Sequence, residues 1–184
     1  GPLLAETHYV VGTHMEPNWR GGNFGTWAVS KDYKHDTESD PFEIPMHGMG
    51  LFACTRSGWP RFAPGMRGFG AEEGTIHEQF RRLGRRAWCF PFLGWVHRFG
   101  KPEGRKYLLT HESKVRNYLA AFKHAGLPID SVASYFRKRI HNDPVQSELM
   151  IQKMVDWADT LPPCPYPSPE GYKPFLGADI KILD

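Results

Sequence analysis

The segment from residue 67 to residue 99 constrains the fold more than any other part of the chain. A glycine-rich turn, an amphipathic segment and an apolar run follow one another there without interruption. Gly68 and Gly70 permit the backbone angles that a tight turn beneath a ligand requires. Two adjacent carboxylates, Glu72 and Glu73, come next, at the start of a predicted helix whose dipole favours negative charge. This order of features predicts a polar site at the amino end of a helix.

The predicted helix begins at Glu72 and is ended by Gly84. Its apolar residues recur at helical spacing, and they predict one buried stripe formed by Ile76, Phe80 and Leu83. The same spacing places His77 one turn above Glu73. A structural explanation stands beside the functional one, because acidic residues at a helix start also stabilise the helix dipole.

The whole chain predicts an α/β protein in three parts: residues 1–107, a helical extension over 108–160, and a proline-rich tail over 161–184. Proline-rich composition indicates an extended arm lying on the domain or a linker. Thr110 and Asp143 are of the residue types that cap helices. We expect strands at 24–29, 51–55 and 86–92, and helices at 110–125, 130–140 and 143–160.

Composition limits the functional classes. The length of 184 residues is that of one domain with a real core. The net charge of +3 and the pI of about 8.8 permit anionic ligands such as a nucleotide diphosphate, but they do not require nucleic acid. No apolar run reaches the roughly 18 residues that a membrane span needs, and no signal peptide is visible at the start. We therefore expect a soluble, cytoplasmic protein with no membrane partner.

The cysteines and histidines do not form a metal or disulfide pattern. Cys54, Cys89 and Cys164 lack Cys-x-x-Cys spacing, and their odd number argues against a disulfide framework. Cys54 and Cys89 lie in apolar runs, so we expect buried free thiols in a reducing compartment. The paired ligand spacing of a structural zinc site is absent at His111, His124 and His141.

Residues 69–73 read Phe-Gly-Ala-Glu-Glu, residues 45–52 read Pro-Met-His-Gly-Met-Gly-Leu-Phe, and His97 follows Pro91 by six residues. These motifs resemble the carboxyl-terminal part of the catalytic domain in GT-A-fold glycosyltransferases, in particular the polypeptide N-acetylgalactosaminyltransferases and the β-1,4-galactosyltransferases. Their Trp-Gly-Gly-Glu-(Asn or Asp) turn resembles residues 69–73, Phe-Gly-Ala-Glu-Glu, and their metal-binding His lies six residues after a Pro, as His97 follows Pro91. The Pro-x-Met-x-Gly-Gly-Leu-Phe stretch of the first family resembles residues 45–52, Pro-Met-His-Gly-Met-Gly-Leu-Phe. The chain departs from the family pattern at Phe69, Ala71 and Glu73.

This resemblance implies a GT-A-like, Rossmann-like fold and transfer of a hexose or N-acetylhexosamine from a nucleotide diphosphate sugar to a hydroxyl. Glu73 is then the catalytic base or a positioning group, and Glu72 bonds sugar or acceptor hydroxyls. His97 is the expected ligand of Mn²⁺ or Mg²⁺, an ion that neutralises the leaving diphosphate. Inversion and retention both remain open. The remaining substrate contacts are expected at His47, Gly48, Met49, Gly50, Gly70, His77 and Trp95.

The amino-terminal half of such a fold carries an Asp-x-Asp or Asp-x-His metal motif, which this sequence lacks. The chain also opens at Gly1 without a methionine, so we expect the acceptor-side fragment of a transferase. Its donor-binding portion would lie in a longer polypeptide or in a separate subunit. The acceptor can be a protein, a glycan or a modified nucleic-acid base.

Two other functions fit the same residues. Basic side chains cluster around the apolar run and could grip the phosphates of a donor or of a nucleic acid, although a solvated basic face is the commoner explanation. A non-catalytic nucleic-acid-binding or phosphate-binding module and an inactive remnant of a transferase are therefore the alternatives. The cluster comprises Arg81, Arg82, Arg85, Arg86, Arg98, Lys101, Arg105 and Lys106.

Overall fold

The computed structural model describes residues 11–34, 39–96, 109–140, 143–175 and 180–183. Within these ranges it is a mixed α/β structure with two small antiparallel sheets and four α-helices. The strands are β1 (His14–Arg20), β2 (Asn23–Ala28), β3 (Phe42–Ile44) and β4 (Ala87–Cys89). The helices are α1 (Glu72–Arg82), α2 (His111–His124), α3 (Asp130–Arg139) and α4 (Pro144–Asp159), and a short 3₁₀ helix covers Arg56–Gly58.

Strands β1 and β2 form a hairpin. Arg20 pairs with Asn23, and the two residues between them, Gly21 and Gly22, have φ of 57° and 77°. A two-residue turn with both φ values positive matches the twist of a hairpin, and glycine accepts it without strain. The expected strand at 24–29 is confirmed as β2, whereas β1 was not predicted, because Pro17 and a bulge break its alternation.

The second sheet corrects two strand predictions. Strand β3 pairs antiparallel with β4, and Phe42 lies opposite Cys89. Strand β4 is shorter than the expected strand at 86–92, and residues 51–55 form no strand. Residues 51–55 are mostly exposed and no described strand pairs with them, so their apolar character alone was not sufficient.

Trp19 lies at the centre of an aromatic core. Its ring stacks on Tyr135 of α3 at a centroid distance of 4.2 Å and packs against Phe122 of α2 at 6.2 Å. Phe24 of β2 meets the same indole edge-on at 5.1 Å. Aromatic side chains of this size contribute much of the apolar area that a small core buries. The β1–β2 hairpin is thereby fixed to helices α2 and α3. Phe24 of β2 also lies against Gly74 of α1.

Three of the four helices lie where helices were predicted, at 110–125, 130–140 and 143–160. The Thr110 side chain accepts a hydrogen bond from the Ser113 backbone N–H at 3.1 Å and caps α2. The Asp143 side chain does the same for α4 by accepting from the Gln146 N–H at 3.0 Å. Each cap satisfies a backbone donor that the first turn of a helix leaves unpaired.

Helix α1 packs on the hairpin through Gly74. A Cβ at this position would lie 2.9 Å from the ring of Phe24, so only glycine allows this close approach. The predicted stripe is buried at Ile76 and Phe80, but the prediction is wrong for Leu83, which is exposed. Leu83 is the residue at which the helix ends and the chain turns away from the core.

The proline-rich tail lies on the domain where it is described. Tyr166 donates to the carbonyl of Pro60, and Tyr172 donates to the Glu78 carboxylate. Further along, the backbone N–H of Trp19 donates to the Lys181 carbonyl at 2.8 Å. Among the described helices, none is both long enough and apolar enough to cross a bilayer.

Candidate functional site

The turn that precedes α1 has an unusual backbone. Gly68, Gly70 and Ala71 all have positive φ, at 76°, 102° and 79°. Glycine accepts this region freely, but an alanine there is strained by about 1 kcal/mol. Ala71 is buried and immediately precedes the helix, and the Thr75 hydroxyl donates to its carbonyl. Surrounding contacts therefore hold Ala71 in a backbone conformation that its side chain disfavours.

Asn117 of α2 supplies the most specific of these contacts. Its side-chain amide donates to the Arg67 carbonyl at 2.7 Å and to the Phe69 carbonyl at 3.0 Å. Its side-chain oxygen accepts from the Arg67 N–H at 2.9 Å. The side chain is buried, so these hydrogen bonds lie in a low-dielectric environment and hold the turn firmly. Nothing in the sequence marks this asparagine, because its partners are separated from it by about fifty residues.

The acidic pair lies directly behind the turn. Glu72 and Glu73 are both half-buried, and the ion pairs between described residues include neither of them. Burial raises the pKa of Glu73 to about 7, with a further contribution from the adjacent charge of Glu72. Burial also raises the pKa of Glu72. Near neutral pH, the Glu73 carboxyl is therefore poised to take up or release a proton.

His77 is buried one turn further along α1. Burial lowers the pKa of its imidazole to about 4, and charges on Arg81 and His47 lower it further. The ring is neutral at physiological pH. Its Nδ1 lies within hydrogen-bond distance of the Glu73 carbonyl, an acceptor, so Nδ1 carries the proton and Nε2 has a free lone pair. His77 thus fixes the backbone of Glu73 and remains uncharged beside it.

The predicted sugar-contact turn lies near His77. His47 is close enough for its charge to affect His77, and its Nδ1 is 2.8 Å from the Gly48 carbonyl. The His47 ring meets Trp27 edge-on at a centroid distance of 5.2 Å. Met46 is fully buried and Met49 half-buried. The glycines of this turn face tryptophan rings of the chain itself: Trp27 lies over Gly48, and Trp95 over Gly50.

Tyr118 was not identified from the sequence, yet it lies beside the acidic pair. Its hydroxyl accepts from the Phe24 N–H at 2.8 Å. Burial raises its pKa, and the charges of Glu73 and Glu72 raise it further, which places the phenol within their field. A Cβ at Gly70 would lie 3.8 Å from the Tyr118 ring. Helical periodicity predicts only that this tyrosine is internal.

The predicted metal ligand His97 lies outside the described residues, and so do four of the eight basic residues, Arg98, Lys101, Arg105 and Lys106. Within the described ranges no group of three or more His, Cys, Asp or Glu side chains could hold a metal ion. The described residues alone therefore do not form a metal centre. A divalent ion here would need His97 together with ligands from the substrate or from another polypeptide.

The other predicted basic residues are engaged within the chain. Arg81 pairs with Glu78 at 2.8 Å, and buried Arg82 donates to the Gly126 carbonyl at 2.9 Å. Arg85 donates to the Gly58 carbonyl, and Arg86 lies 3.7 Å from the Glu43 carboxylate of β3. The phosphate-gripping interpretation therefore has no support at Arg81 and Arg82, whose charges are used internally.

The cysteine predictions are confirmed in part. All three cysteines are free thiols. The expectation of burial is wrong for Cys54, which is exposed because the strand predicted around it does not form, and Cys89 is only half-buried.

A surface pocket of about 460 Å³ lies away from the acidic pair, between the end of α1, α2 and the tail. Its cations are already engaged, since Arg82 donates to the Ser168 hydroxyl at 2.8 Å and Lys123 lies 3.5 Å from Asp159. The titratable groups with the chemical character of a site are instead those at the amino end of α1.

Comparison with models of known protein families finds none that matches this chain, and comparisons with curated sequences and with solved structures find no match either.

Proposed function

We propose that this chain is the acceptor-side part of a glycosyltransferase that moves a sugar from a nucleotide diphosphate sugar to a hydroxyl group. One observation carries the proposal: the Glu73 carboxyl has a pKa raised to about 7 and is held behind a strained glycine turn. Strongly perturbed carboxyl groups without a cationic partner are more typical of functional sites than of structural ion pairs.

Glycosyl transfer needs such a group. As the acceptor hydroxyl attacks the anomeric carbon, its proton must pass to a base, and a base with a pKa near the working pH does this most efficiently. Glu73 takes that proton. Glu72 accepts hydrogen bonds from sugar or acceptor hydroxyls and, through its charge, helps keep the pKa of Glu73 high. The neutral His77 holds the Glu73 backbone without donating a positive charge that would lower this pKa.

The proposed metal ligand on the donor side falls outside the described residues. His97 is the proposed protein ligand of Mn²⁺ or Mg²⁺, and the bound ion would neutralise the leaving diphosphate. Its companion ligands come from the diphosphate and from an amino-terminal donor-binding portion or subunit. The three free thiols support placing the protein in a reducing compartment, the cytoplasm.

The proposal is tested on the complete natural polypeptide that contains this sequence. Transfer from a panel of nucleotide diphosphate sugars is measured with Mn²⁺ in the wild type, in Glu73→Gln and in the matched control Glu148→Gln, an exposed residue of α4. We expect Glu73→Gln to lose at least roughly 100-fold in kcat/KM. The control should retain full activity.

The wild-type pH profile supplies a second readout. A base must be deprotonated to act, so kcat/KM should rise as the pH increases through about 7, the pKa of Glu73. Absence of any donor consumption would contradict the proposal. Binding to nucleic acid that weakens steeply with salt and is unaffected by Glu73→Gln would instead support the non-catalytic module.

A further inference from the structure

The peptide group that joins Phe69 to Gly70 is contacted at both of its ends. Its carbonyl, that of Phe69, accepts a hydrogen bond from the Asn117 amide at 3.0 Å. Its N–H, that of Gly70, hydrogen-bonds to the Glu72 carboxyl. A trans peptide is planar, and its C=O and N–H point in opposite directions; every described peptide bond is trans. One rigid plane therefore lies between a side chain of α2 and an acid of α1.

Asn117 is held so that only a carbonyl can face its amide nitrogen. Its side-chain oxygen accepts from the Arg67 N–H at 2.9 Å, and its amide nitrogen also donates to the Arg67 carbonyl at 2.7 Å. The side chain cannot rotate without losing both bonds, and at 1% exposure it is too buried for bulk water to replace them. An amide nitrogen donates and does not accept. A plane turned the other way would place the Gly70 N–H against this donor and leave both unpaired.

Gly70 does not fix the orientation of this plane by itself. Its φ is 102°, a region that glycine enters freely and other residues rarely adopt. Turning the plane by about 180° would bring φ into the negative region, which glycine accepts equally well. Local backbone preference therefore does not select between the two orientations. The selection comes from Asn117 of α2.

The orientation of the plane decides what the Glu72 carboxyl faces. Burial raises the pKa of Glu72, whereas hydrogen bonds from its own backbone N–H and from the Gly70 N–H lower it. The ionised carboxylate is therefore partly stabilised by a donor that the turn presents to it. With the plane reversed, a carbonyl oxygen would take the place of that donor, and the ionised form of Glu72 would be disfavoured further. The charge of Glu72 in turn raises the pKa of Glu73.

We propose that Asn117 is a positioning residue of this site: it holds the carbonyl of the Phe69–Gly70 peptide and thereby directs the N–H of the same peptide at the Glu72 carboxyl. The helical extension is then part of the site, because α2 supplies the residue that sets the turn. That the arrangement serves sugar transfer rests on the proposed function. The orientation of the peptide, and its dependence on Asn117, do not.

The test follows the titration of Glu72 by carbon-13 NMR of the side-chain carboxyl groups. Because the charge of Glu72 affects the titration of Glu73, every variant is made in a Glu73→Gln background, where Glu72 is the only acid of the pair. Its signal is assigned by its loss in Glu72→Gln. Asn117→Leu replaces the amide with an apolar side chain of similar size, so nothing holds the Phe69 carbonyl. We expect the pKa of Glu72 to rise, because its donor is lost while it stays buried.

The direction of this change separates positioning from a purely structural role. If Asn117 only stabilised the fold, its removal would loosen the turn, expose Glu72 to water and move the pKa down towards its ordinary value of 4.5. Leu119→Ala is the matched control, because it removes a buried side chain of the same helix that has no hydrogen-bonding group. The control should lower stability without raising the pKa of Glu72.

A second variant keeps Asn117 in place, so it does not depend on the fold tolerating the loss of that side chain. Gly70→Ala puts a side chain at a φ of 102°, a strain that reversing the peptide relieves. The new Cβ has room, since its nearest neighbour would be the Tyr118 ring at 3.8 Å. The pKa of Glu72 should again rise. Gly84→Ala is the matched control, because Gly84 has a φ of 69° just beyond the other end of α1 and has open space around it.

The proposal is overturned if the pKa of Glu72 stays unchanged or falls in folded Asn117→Leu. If Asn117→Leu does not fold, a Gly70→Ala titration without a rise overturns it. It is also overturned if Gly84→Ala raises the pKa of Glu72 as much as Gly70→Ala does.

Transfer assays separate this proposal from the proposed function. In the complete polypeptide with Glu73 intact, Asn117→Leu should lower kcat/KM by roughly tenfold to 100-fold, because the group that contacts the acceptor is misplaced. An active wild type in which Asn117→Leu transfers normally would overturn the positioning role. A wild type without transfer would contradict only the proposed function, and the Glu72 titration would still decide whether Asn117 directs the peptide.

Discussion

The two ends of α1 place the same residue type in opposite electrostatic situations. Glu78, in the carboxyl half, is 0% exposed and is fully paired: Arg81 lies 2.8 Å away, and the Tyr172 hydroxyl donates to its other oxygen. Glu73, near the amino end, is half-buried, and no described cation pairs with it. Arg81 and Tyr172 compensate the charge of Glu78. Burial and the charge of Glu72 raise the pKa of Glu73.

We call Glu78 the structural acid and, on the proposed function, Glu73 the chemical acid. A buried charge is tolerated when an opposite charge and hydrogen bonds satisfy it, and it then contributes specificity to the fold. A buried acid without that compensation prefers to hold its proton, which is unfavourable for stability and useful for proton transfer. The comparison also gives the tail a role, because Tyr172 is one of the two partners that keep Glu78 satisfied.

The largest expected effect comes from removing the structural acid. Glu78→Ala leaves the Arg81 guanidinium half-buried beside an unpaired Tyr172 hydroxyl, so it should lower the free energy of unfolding by about 3–5 kcal/mol. The matched control is Glu148→Ala, since Glu148 forms an exposed pair with Arg137 at 3.0 Å. The control should cost at most about 1 kcal/mol. Urea denaturation measures both, and equal costs would invalidate the comparison.

The chemical acid should behave in the opposite way. The pKa of Glu73 is raised from 4.5 to about 7, so the folded protein holds this proton between those pH values while the unfolded chain releases it. Its contribution to stability is therefore complete below pH 4.5 and is lost as the pH rises to about 7. Glu73→Gln should stabilise the fold by roughly 3 kcal/mol above pH 7 and by nothing below pH 4.5.

Denaturation midpoints from pH 4 to pH 8 measure this difference. Glu148→Gln, which alters an exposed carboxylate, should show no comparable change with pH. If Glu73→Gln is destabilising at pH 8, then Glu73 has a stabilising partner, and the contrast between the two ends of α1 disappears.

The sequence predicted those elements whose signals are local. Helices α2 and α4 carry caps and periodic apolar residues within one or two turns, and both were found as expected. Strands β1 and β3 were missed, because a bulge interrupts one and the other is only three residues long. The strand expected at 51–55 failed for a related reason, since strand formation requires a pairing partner that composition does not reveal.

The candidate site was likewise predicted only where its residues are neighbours in sequence. The glycine turn and the acidic pair are contiguous and were found, whereas Asn117, Tyr118 and Trp27 reach the site from distant parts of the chain. In the sequence, Glu73 and Glu78 are two similar acids on one helix. Their surroundings in space make them differ: Glu78 is paired with Arg81 and with Tyr172 of the tail, whereas Glu73 lies beside the charge of Glu72.

The smallest effect tests whether the tail contributes to this contrast. Tyr172→Phe removes one hydroxyl and should cost about 1–2 kcal/mol, because a hydrogen bond to a charged group is stronger than one between neutral groups. A double-mutant cycle with Glu78→Gln isolates the pair, and we expect a coupling of about 1 kcal/mol. The cation–π contact between Arg82 and the Tyr172 ring, at 4.9 Å, survives in Tyr172→Phe and so does not contribute to the difference. Zero coupling would mean that Arg81 alone satisfies Glu78, and the tail would then have no part in distinguishing the two ends of α1.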